Sequence, residues 1–419
     1  MLVFVSDIHL TDGKPDGTST ATMHSGAFQK FTLYLKDMAE TAKAKEIQIV
    51  LLGDILDLIR SEYWLRSTIR PWSDADERDT EGKGLKDYAM TIVERICEDP
   101  MNKASMVHLQ EFTETMAKSG VPVEIAYLPG NHDWLVNRYP ETRRAAAAFL
   151  GLRNPIQYQK KAFLTENYWE SYRVFARHGD IYDPFNFSEN RDASSLGDAL
   201  VIDLLNKFPT LVEQVLEPAG DPDLIAGLRQ IDNVRPLIDV PLWIQGICRR
   251  AKSPGTAKKV KDTWNDLADS FLRSPYVRSC DKPWHIDIVD GLQLVLKIST
   301  WLSLRDIISC PIRDLCRSSE DYVKKAFNEE YMKRNMAEYV VYGHTHQHQI
   351  VPLDLVPGSG APLNKTYFNT GTWRRVHEKT SFDPENHEFL SRHVMTFIAF
   401  YLSEERGDYR FEVWNGALG

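Results

Sequence analysis

Cysteine is scarce in this chain and shows no pairing. Cys97, Cys248, Cys280, Cys310 and Cys316 are odd in number, and no two stand at CxxC spacing. That excludes a disulfide framework or a cysteine-held zinc knuckle, and it fits small buried thiols in a reducing compartment. Long uncharged apolar runs are missing too. No stretch reaches the roughly 18 residues of a spanning helix, and Met1–Asp7 lacks the basic and apolar regions of a signal peptide. A soluble cytoplasmic protein is expected. Positive charge is in deficit, with a formal net charge of -9, which argues against a general nucleic-acid coat. Repeats and low-complexity tracts are absent as well. What the chain does have is 43% apolar and 11% aromatic residues over 419 positions, enough for two domains or one enlarged core.

Short apolar runs rich in β-branched and aromatic residues recur at Leu2–Val5, Ile47–Leu52, Val123–Leu128, Tyr172–Ala176 and Tyr339–Tyr342. Such runs suit strands buried on both faces. Between the first two, Phe28, Phe31, Leu35 and Met38 fall at helical spacing, and Leu85–Lys118 reads as a further helical stretch. Strand, helix, strand in repetition predicts an α/β fold. Over 187–335 the alternation gives way to helical periodicity, with helices expected at 196–208, 243–252, 256–272, 286–301 and 320–334, broken by prolines such as Pro209, Pro254 and Pro275. Strand-like runs return at Thr366–Phe368, Thr372–His377, Val394–Tyr401 and Tyr409–Val413. The expected organisation is a core of 1–186 and 336–419 interrupted by a helical insertion, 187–335.

Five strings place metal-binding side chains just after these runs: Ser6-Asp7-Ile8-His9, Gly53-Asp54-Ile55-Leu56-Asp57, Gly130-Asn131-His132-Asp133, His178-Gly179-Asp180 and Gly343-His344-Thr345-His346. Asp7 and His9 stand two apart, and in an extended chain they would face one ion together. His344 and His346 repeat the spacing, although a bending loop could send each to a different ion. The Asp54 carboxylate has two oxygens and can bridge two ions about 3.5–4 Å apart. Asn131 offers a carbonyl oxygen and His178 an imidazole nitrogen. Mixed nitrogen and oxygen ligation suits two divalent ions, with Mn favoured and Fe, Zn, Co or Ni as alternatives, and the lack of thiolates disfavours structural zinc. Each string alone has an ordinary reading, as a turn, a helix cap or a hydrogen-bonded histidine. All five together, each at a strand end, are much harder to obtain by accident.

The series resembles the motifs of the calcineurin-like metallophosphoesterase superfamily, over the five strings and the strands that carry them but not over the insertion. The resemblance implies a four-layer α/β/β/α sandwich. It implies one ion on Asp7, His9, Asp54 and His346, and another on Asp54, Asn131, His178 and His344. His132 matches the superfamily histidine that touches the scissile phosphate without ligating metal. The two cations would neutralise phosphoryl oxygens and lower the pKa of a bridging water, which attacks phosphorus in line. His132 would stabilise developing charge or protonate the leaving oxygen, and Asp133 would orient its ring. Asp57 and Asp183 either orient ligand histidines or cap loops. Arg374 or Arg375, in Asn369-Thr-Gly371-Thr-Trp373-Arg-Arg375, is placed to steady a substrate phosphate or else lies exposed on its strand.

The second string lacks the arginine that serine/threonine protein phosphatases carry after its last aspartate. The fourth, with Asp183-Pro-Phe-Asn186 beyond it, is similar to the UDP-2,3-diacylglucosamine pyrophosphatase branch, which inserts a helical lid between its fourth and fifth motifs. That branch typically has arginine where this chain has His132, so the expected substrate is a small phosphorylated or nucleotide-linked molecule rather than that lipid precursor. Double-strand-break repair nucleases share the Asn-His-Asp form. Residues 249–282 hold nine Lys/Arg against four Asp with Trp264, Phe271 and Tyr276 interleaved, so a nuclease gripping a single strand stays open. So does a solvated helix face whose aromatics pack inward, and so does a non-catalytic scaffold that docks a protein through the insertion.

Overall fold

A computed structural model describes residues 1–12, 25–216, 220–235, 239–280, 319–357, 362–380, 388–407 and 409–418. The protein is a mixed α/β structure with two sheets. The larger sheet runs in the order β3 (Val123–Leu128), β2 (Ile47–Leu52), β1 (Leu2–Val5), β11 (Phe389–Phe400), β10 (Arg375–Lys379), β6 (Val234–Arg235), with β12 (Phe411–Leu418) also on β11. Its first three strands are parallel, and β11 runs antiparallel to β1, β10 and β12. The smaller sheet runs β4 (Glu166–Trp169), β5 (Val174–Arg177), β7 (Tyr339–Tyr342), β9 (Leu363–Asn369), β8 (Gln349–Val356), with β5, β7 and β9 parallel and the edges antiparallel. Parallel pairing explains the near-continuous apolar runs, because both faces of these strands are covered.

One face of each sheet contributes to a shared apolar cluster, in which Leu2, Phe4, Val50 and Leu52 meet Val174, Ala176, Val341 and Phe368. The other face of the larger sheet packs against α1 (Ser25–Ala42), α2 (Leu85–Glu98), α3 (Pro100–Lys118) and α4 (Pro140–Phe149). In α1 the predicted stripe is the buried one: Phe28 and Phe31 lie 5.1 and 5.0 Å from the Trp373 ring. The stretch 85–118 is two helices rather than one. Pro100 cannot donate within a continuing helix, and Asp99 caps the new one by accepting from the backbone N–H groups of Met101 and Asn102.

The insertion differs from its purely helical expectation. Val234–Arg235 forms a two-residue strand parallel to β10, pairing Val234 with His377. Among its described residues, Leu205, Phe208, Ile247, Trp264 and Phe271 belong to the same apolar cluster as α1 and α2, and Tyr322, Ala326 and Met332 pack with the smaller sheet. Polar ties reinforce this, among them Arg70 to Asp203 at 2.9 Å and Trp134 Nε1 to Asp198 Oδ2 at 3.1 Å. The helix expected at 286–301, with Cys310 and Cys316, lies outside the described residues. Sequence patterning also passed over the edge strands β4 and β8. Among the described residues, no helix is long and apolar enough to cross a membrane.

Candidate metal centre

Every predicted ligand follows the carboxyl end of a parallel strand. Asp7 and His9 follow β1, Asp54 follows β2, Asn131 follows β3, His178 follows β5, and His344 and His346 follow β7. The strand ends of both sheets thus converge, as ligand sites in open α/β sheets do. The convergence of Asp7 with His9 has a different origin from the extended pleat expected of it. Asp7, His9, Asp54, His344 and His346 all adopt left-handed backbone, with φ of 53°, 55°, 54°, 68° and 59°. This region is disfavoured for side chains with a Cβ, and residues held there tend to gather at functional sites. Main-chain bonds enforce it: Asp7 N donates to Gly53 O at 3.0 Å and His9 N to Asp54 O at 2.9 Å. Close packing needs Gly130, where any Cβ would strike the Asp54 carboxylate and the His178 ring.

Of three groups of side chains that could hold a metal ion, two consist wholly of predicted ligands. Asp7, His9, Asp54 and His346 form one, and Asp54, His178 and His344 form another. In the first, His346 Nε2 lies 3.1 Å from Asp7 Oδ1 and 3.1 Å from His9 Nε2, and His9 Nε2 is 3.8 Å from Asp54 Oδ2. A tetrahedral ion with bonds of about 2.1 Å separates its donors by roughly 3.4 Å, so this spacing fits one. Asp7 Oδ1 and His178 Nε2 are buried without a hydrogen-bond partner, as expected of ligand atoms. In the second group Asp54 Oδ2 is 3.2 Å from His178 Nε2, so the same oxygen faces both groups. Asn131 joins here. Its amide nitrogen donates to Asn186 Oδ1 at 3.2 Å and its oxygen lies 2.9 Å from His344 Nδ1. The two histidines two apart in sequence are therefore divided between the groups.

Outer partners fix which ring nitrogen is offered. His178 Nδ1 donates to the Leu52 carbonyl at 2.9 Å, leaving Nε2 toward Asp54. His9 Nδ1 donates to Asp57 Oδ2 at 2.7 Å, and His344 Nε2 to Asp183 Oδ2 at 3.0 Å. Asp57 and Asp183 thus orient ligand histidines, while also accepting from Arg60 N and Phe185 N in their own loops. His346 is the exception: Arg235 Nη2 lies 2.9 Å from its Nδ1. An imidazole offering Nε2 to an ion carries its proton on Nδ1, so that contact would have to give way if His346 held one.

His132 sits at the edge of both groups, with Nδ1 donating to Asp57 Oδ1 at 2.8 Å and its backbone N–H to Asp54 Oδ1 at 2.9 Å. The expected role of Asp133 is corrected here. Its carboxylate accepts from Ile55 N at 2.9 Å, Tyr127 Oη at 2.6 Å and Gly130 N, clamping the loops after β2 and β3. The carboxylate that orients the His132 ring is Asp57, because Asp133 turns inward toward these three donors. Grouping of His9, Asp57 and His132 is explained as one carboxylate shared by two imidazole N–H groups. Arg375 is corrected as well: it bonds His393 across the strand pair β10–β11 at 3.2 and 3.0 Å. Arg374 is neither exposed nor free, for its Nη2 donates to Asp232 Oδ2 at 2.8 Å and Asn233 Oδ1 at 2.7 Å. Those partners come from the insertion and had no sequence signal. The basic segment 249–280 fares poorly as a nucleic-acid platform, since Trp264 and Phe271 are buried and Trp264 packs on Phe208 at 4.9 Å. Its aromatics are packing groups, and residues 281–282 lie outside the described chain.

The electrostatics divide the imidazoles. Burial, followed by repulsion from Arg374, pulls His9 down to about 4 against the pull of Asp57. Burial and the Arg235 charge hold His346 well below its usual value. Both are neutral at pH 7, as ligands must be. For His178 burial is overcome by the charge of Asp54, whose Oδ2 lies 3.2 Å from Nε2, and the pKa is raised to about 10, so an ion there would displace a proton. Asp57 and Asp54 likewise outweigh burial at His132 and raise it to about 9. Asp7 is pushed up to about 6, by burial and then by the Asp54 charge, although His178 opposes this. No family model matches the chain, and no curated protein matches it.

Proposed function

We propose that this chain is a calcineurin-like metallophosphoesterase. It would use two divalent ions, manganese first among them, to hydrolyse a phosphate ester or pyrophosphate bond of a small phosphorylated substrate. The observation that carries this reading is the Asp54 carboxylate, one oxygen of which faces both His/Asp groups, with the Asp57-held imidazole of His132 beside them. Ions bound there supply charge that neutralises phosphoryl oxygens and acidify a water. The chain's own residues do the rest. Asp57 keeps His132 charged and fixed, so that its Nε2 can donate to a phosphoryl or leaving-group oxygen. His178 and His9 are held as Nε2 ligands by Leu52 O and Asp57. A four-layer α/β/β/α order belongs to the same reading, and is supported by the apolar cluster that both sheets share and by helices on the larger sheet's outer face.

The test is hydrolysis of bis-p-nitrophenyl phosphate by the full chain with Mn, Zn, Fe, Co, Ni or Mg added in turn. Turnover that needs a divalent ion and vanishes in Asp54→Ala is expected. Inactivity with every ion would sink the enzyme reading and leave the docking scaffold in its place.

A further inference from the structure

Three arginines from distant parts of the chain meet beside the first group of ligands. Arg60 follows the second string, Arg374 precedes β10, and Arg235 ends the insertion's strand. Arg60 Nη1 and Arg374 Nη2 both lie 2.8 Å from the same oxygen, Asp232 Oδ2. Arg235 Nη1 donates to the Asp232 and Val234 carbonyls at 2.7 and 2.9 Å, and its Nη2 is the group 2.9 Å from His346. Among the described residues, Asp232 is the one carboxylate in ion-pair contact with Arg60 and Arg374, and Arg235 has no such contact. Asp57 and Glu62 act on Arg60 from farther away.

The arrangement leaves donors over. Arg374 is only 2% exposed, yet its Nε and Nη1 have no hydrogen-bond partner, nor do Nε and Nη1 of Arg60, the latter being close to Asp232 without bonding geometry. Buried charged donors left unmade are costly, and an uncompensated buried charge costs more than a matched pair returns. A purely structural knot would gain from a second carboxylate. Guanidinium groups with unpartnered donors suit phosphate, which accepts from such forks through two oxygens at once.

We infer that Arg60, Arg235 and Arg374, held in place by Asp232 and Asn233, form an anion subsite that takes a second phosphate of the substrate, next to the scissile one. The words "substrate" and "scissile" rest on the phosphoesterase reading; the binding of phosphate by the trio does not. It makes the insertion part of recognition, since Asp232, Asn233 and Arg235 all belong to it. Loading an ion on His346 also releases Arg235 Nη2 from its ring, so that this fork turns to the anion only once the neighbouring centre is filled.

The experiment uses the full chain and two variants at the more exposed arginines, Arg60→Gln and Arg235→Gln, with unfolding midpoints as the fold check. Inorganic phosphate binding is titrated calorimetrically with and without Mn(II). Arg60→Gln should weaken binding at least tenfold in both conditions and Arg235→Gln at least tenfold with Mn(II) but little without it, while Asp232→Asn, which removes the compensating charge, should tighten binding severalfold. With Mn(II), the variants should raise KM for a nucleoside diphosphate sugar at least tenfold more than KM for bis-p-nitrophenyl phosphate. Phosphate affinity within twofold of the parent in both arginine variants would overturn the subsite. Equal KM increases for the two substrates would overturn its assignment to a second phosphate. Lack of hydrolysis with any ion would defeat the phosphoesterase reading alone, because phosphate titration still reads the trio.

Discussion

The strand-end side of the site and the side formed with the insertion bury charge of opposite sign and settle it by different means. On the first, Asp7, Asp54, Asp57 and Asp133 are buried together, but every one is met by backbone N–H groups, hydroxyls or imidazoles from neighbouring strand-end loops. On the second, Arg60 and Arg374 share the Asp232 carboxylate and leave donors unmade, while Arg235 bonds the Asp232 main-chain carbonyl. The acidic side is satisfied apart from atoms such as Asp7 Oδ1, and the basic side keeps unpartnered donors on Arg60 and Arg374. The first side is thus built from local strings, and the second from residues that only folding brings together.

The largest effect expected follows from breaking the acidic side at its shared member. Asp54→Ala removes the oxygen common to both groups and should abolish both metal content, read by elemental analysis, and turnover. Retention of one full equivalent of metal with normal affinity would show that the two groups do not share it. Next comes His132→Ala, which should lose about 10²–10⁴-fold in kcat, the range for a positioned acid or base, while keeping its metal. Loss of metal instead would make His132 a ligand and dissolve the distinction drawn between it and His9.

A smaller effect probes the hinge between these two histidines. Asp57 accepts from both rings, so Asp57→Asn should weaken Mn(II) binding by about 10–100-fold, the usual cost of losing an outer-shell partner of a ligand histidine. Calorimetric titration reads this directly. Unaltered affinity would confine Asp57 to anchoring its loop through Arg60 N.

How far these sides were legible in the sequence follows the same division. Asp7, Asp54, Asn131, His178 and His344 could be found because each lies immediately after a strand whose apolar run is itself readable. The left-handed backbone that brings Asp7 and His9 together could not be read, because no glycine marks it; aspartate and histidine occupy positions where glycine would be the ordinary choice. Asp133 was misassigned to His132 because adjacency in sequence says nothing of direction, and its side chain turns to Tyr127 and Ile55 instead. Asp232 and Arg235 gave no signal at all. Asp232 lies in a single 3-10 turn, Ile231–Asn233, and Arg235 in the two-residue strand after it, both too short for any periodicity, inside a segment whose prolines and leucines spoke only of helices. The sheet centres were legible through burial on both faces, whereas β4 and β8, half-exposed at the edges, were not.

The smallest effect tests the reach of the basic side's charge. His377 lies on β10 beyond Arg374, stacked on Trp243 at 4.5 Å with Nδ1 bonded to Ser391 Oγ at 2.6 Å. Burial lowers its pKa to about 4, and Arg375, His393, Arg235 and Arg374 add to the shift. The ordinary value in an unfolded chain is near 6.5, so between that pH and about 4 the unfolded state binds a proton that the folded state refuses. Linkage then makes stability fall as pH falls through this window, and the loss should level off below about 4, where both states are protonated. Denaturant unfolding from pH 7 to 4 should show this acid-side slope in the parent and a shallower one in His377→Phe, which keeps the stack on Trp243 and cannot titrate. Arg235→Gln should flatten the parent slope slightly, by removing one of the four repelling charges. A slope identical in all three proteins would mean that the guanidinium excess is screened before it reaches β10, and the basic side would then be narrower than its arginines suggest.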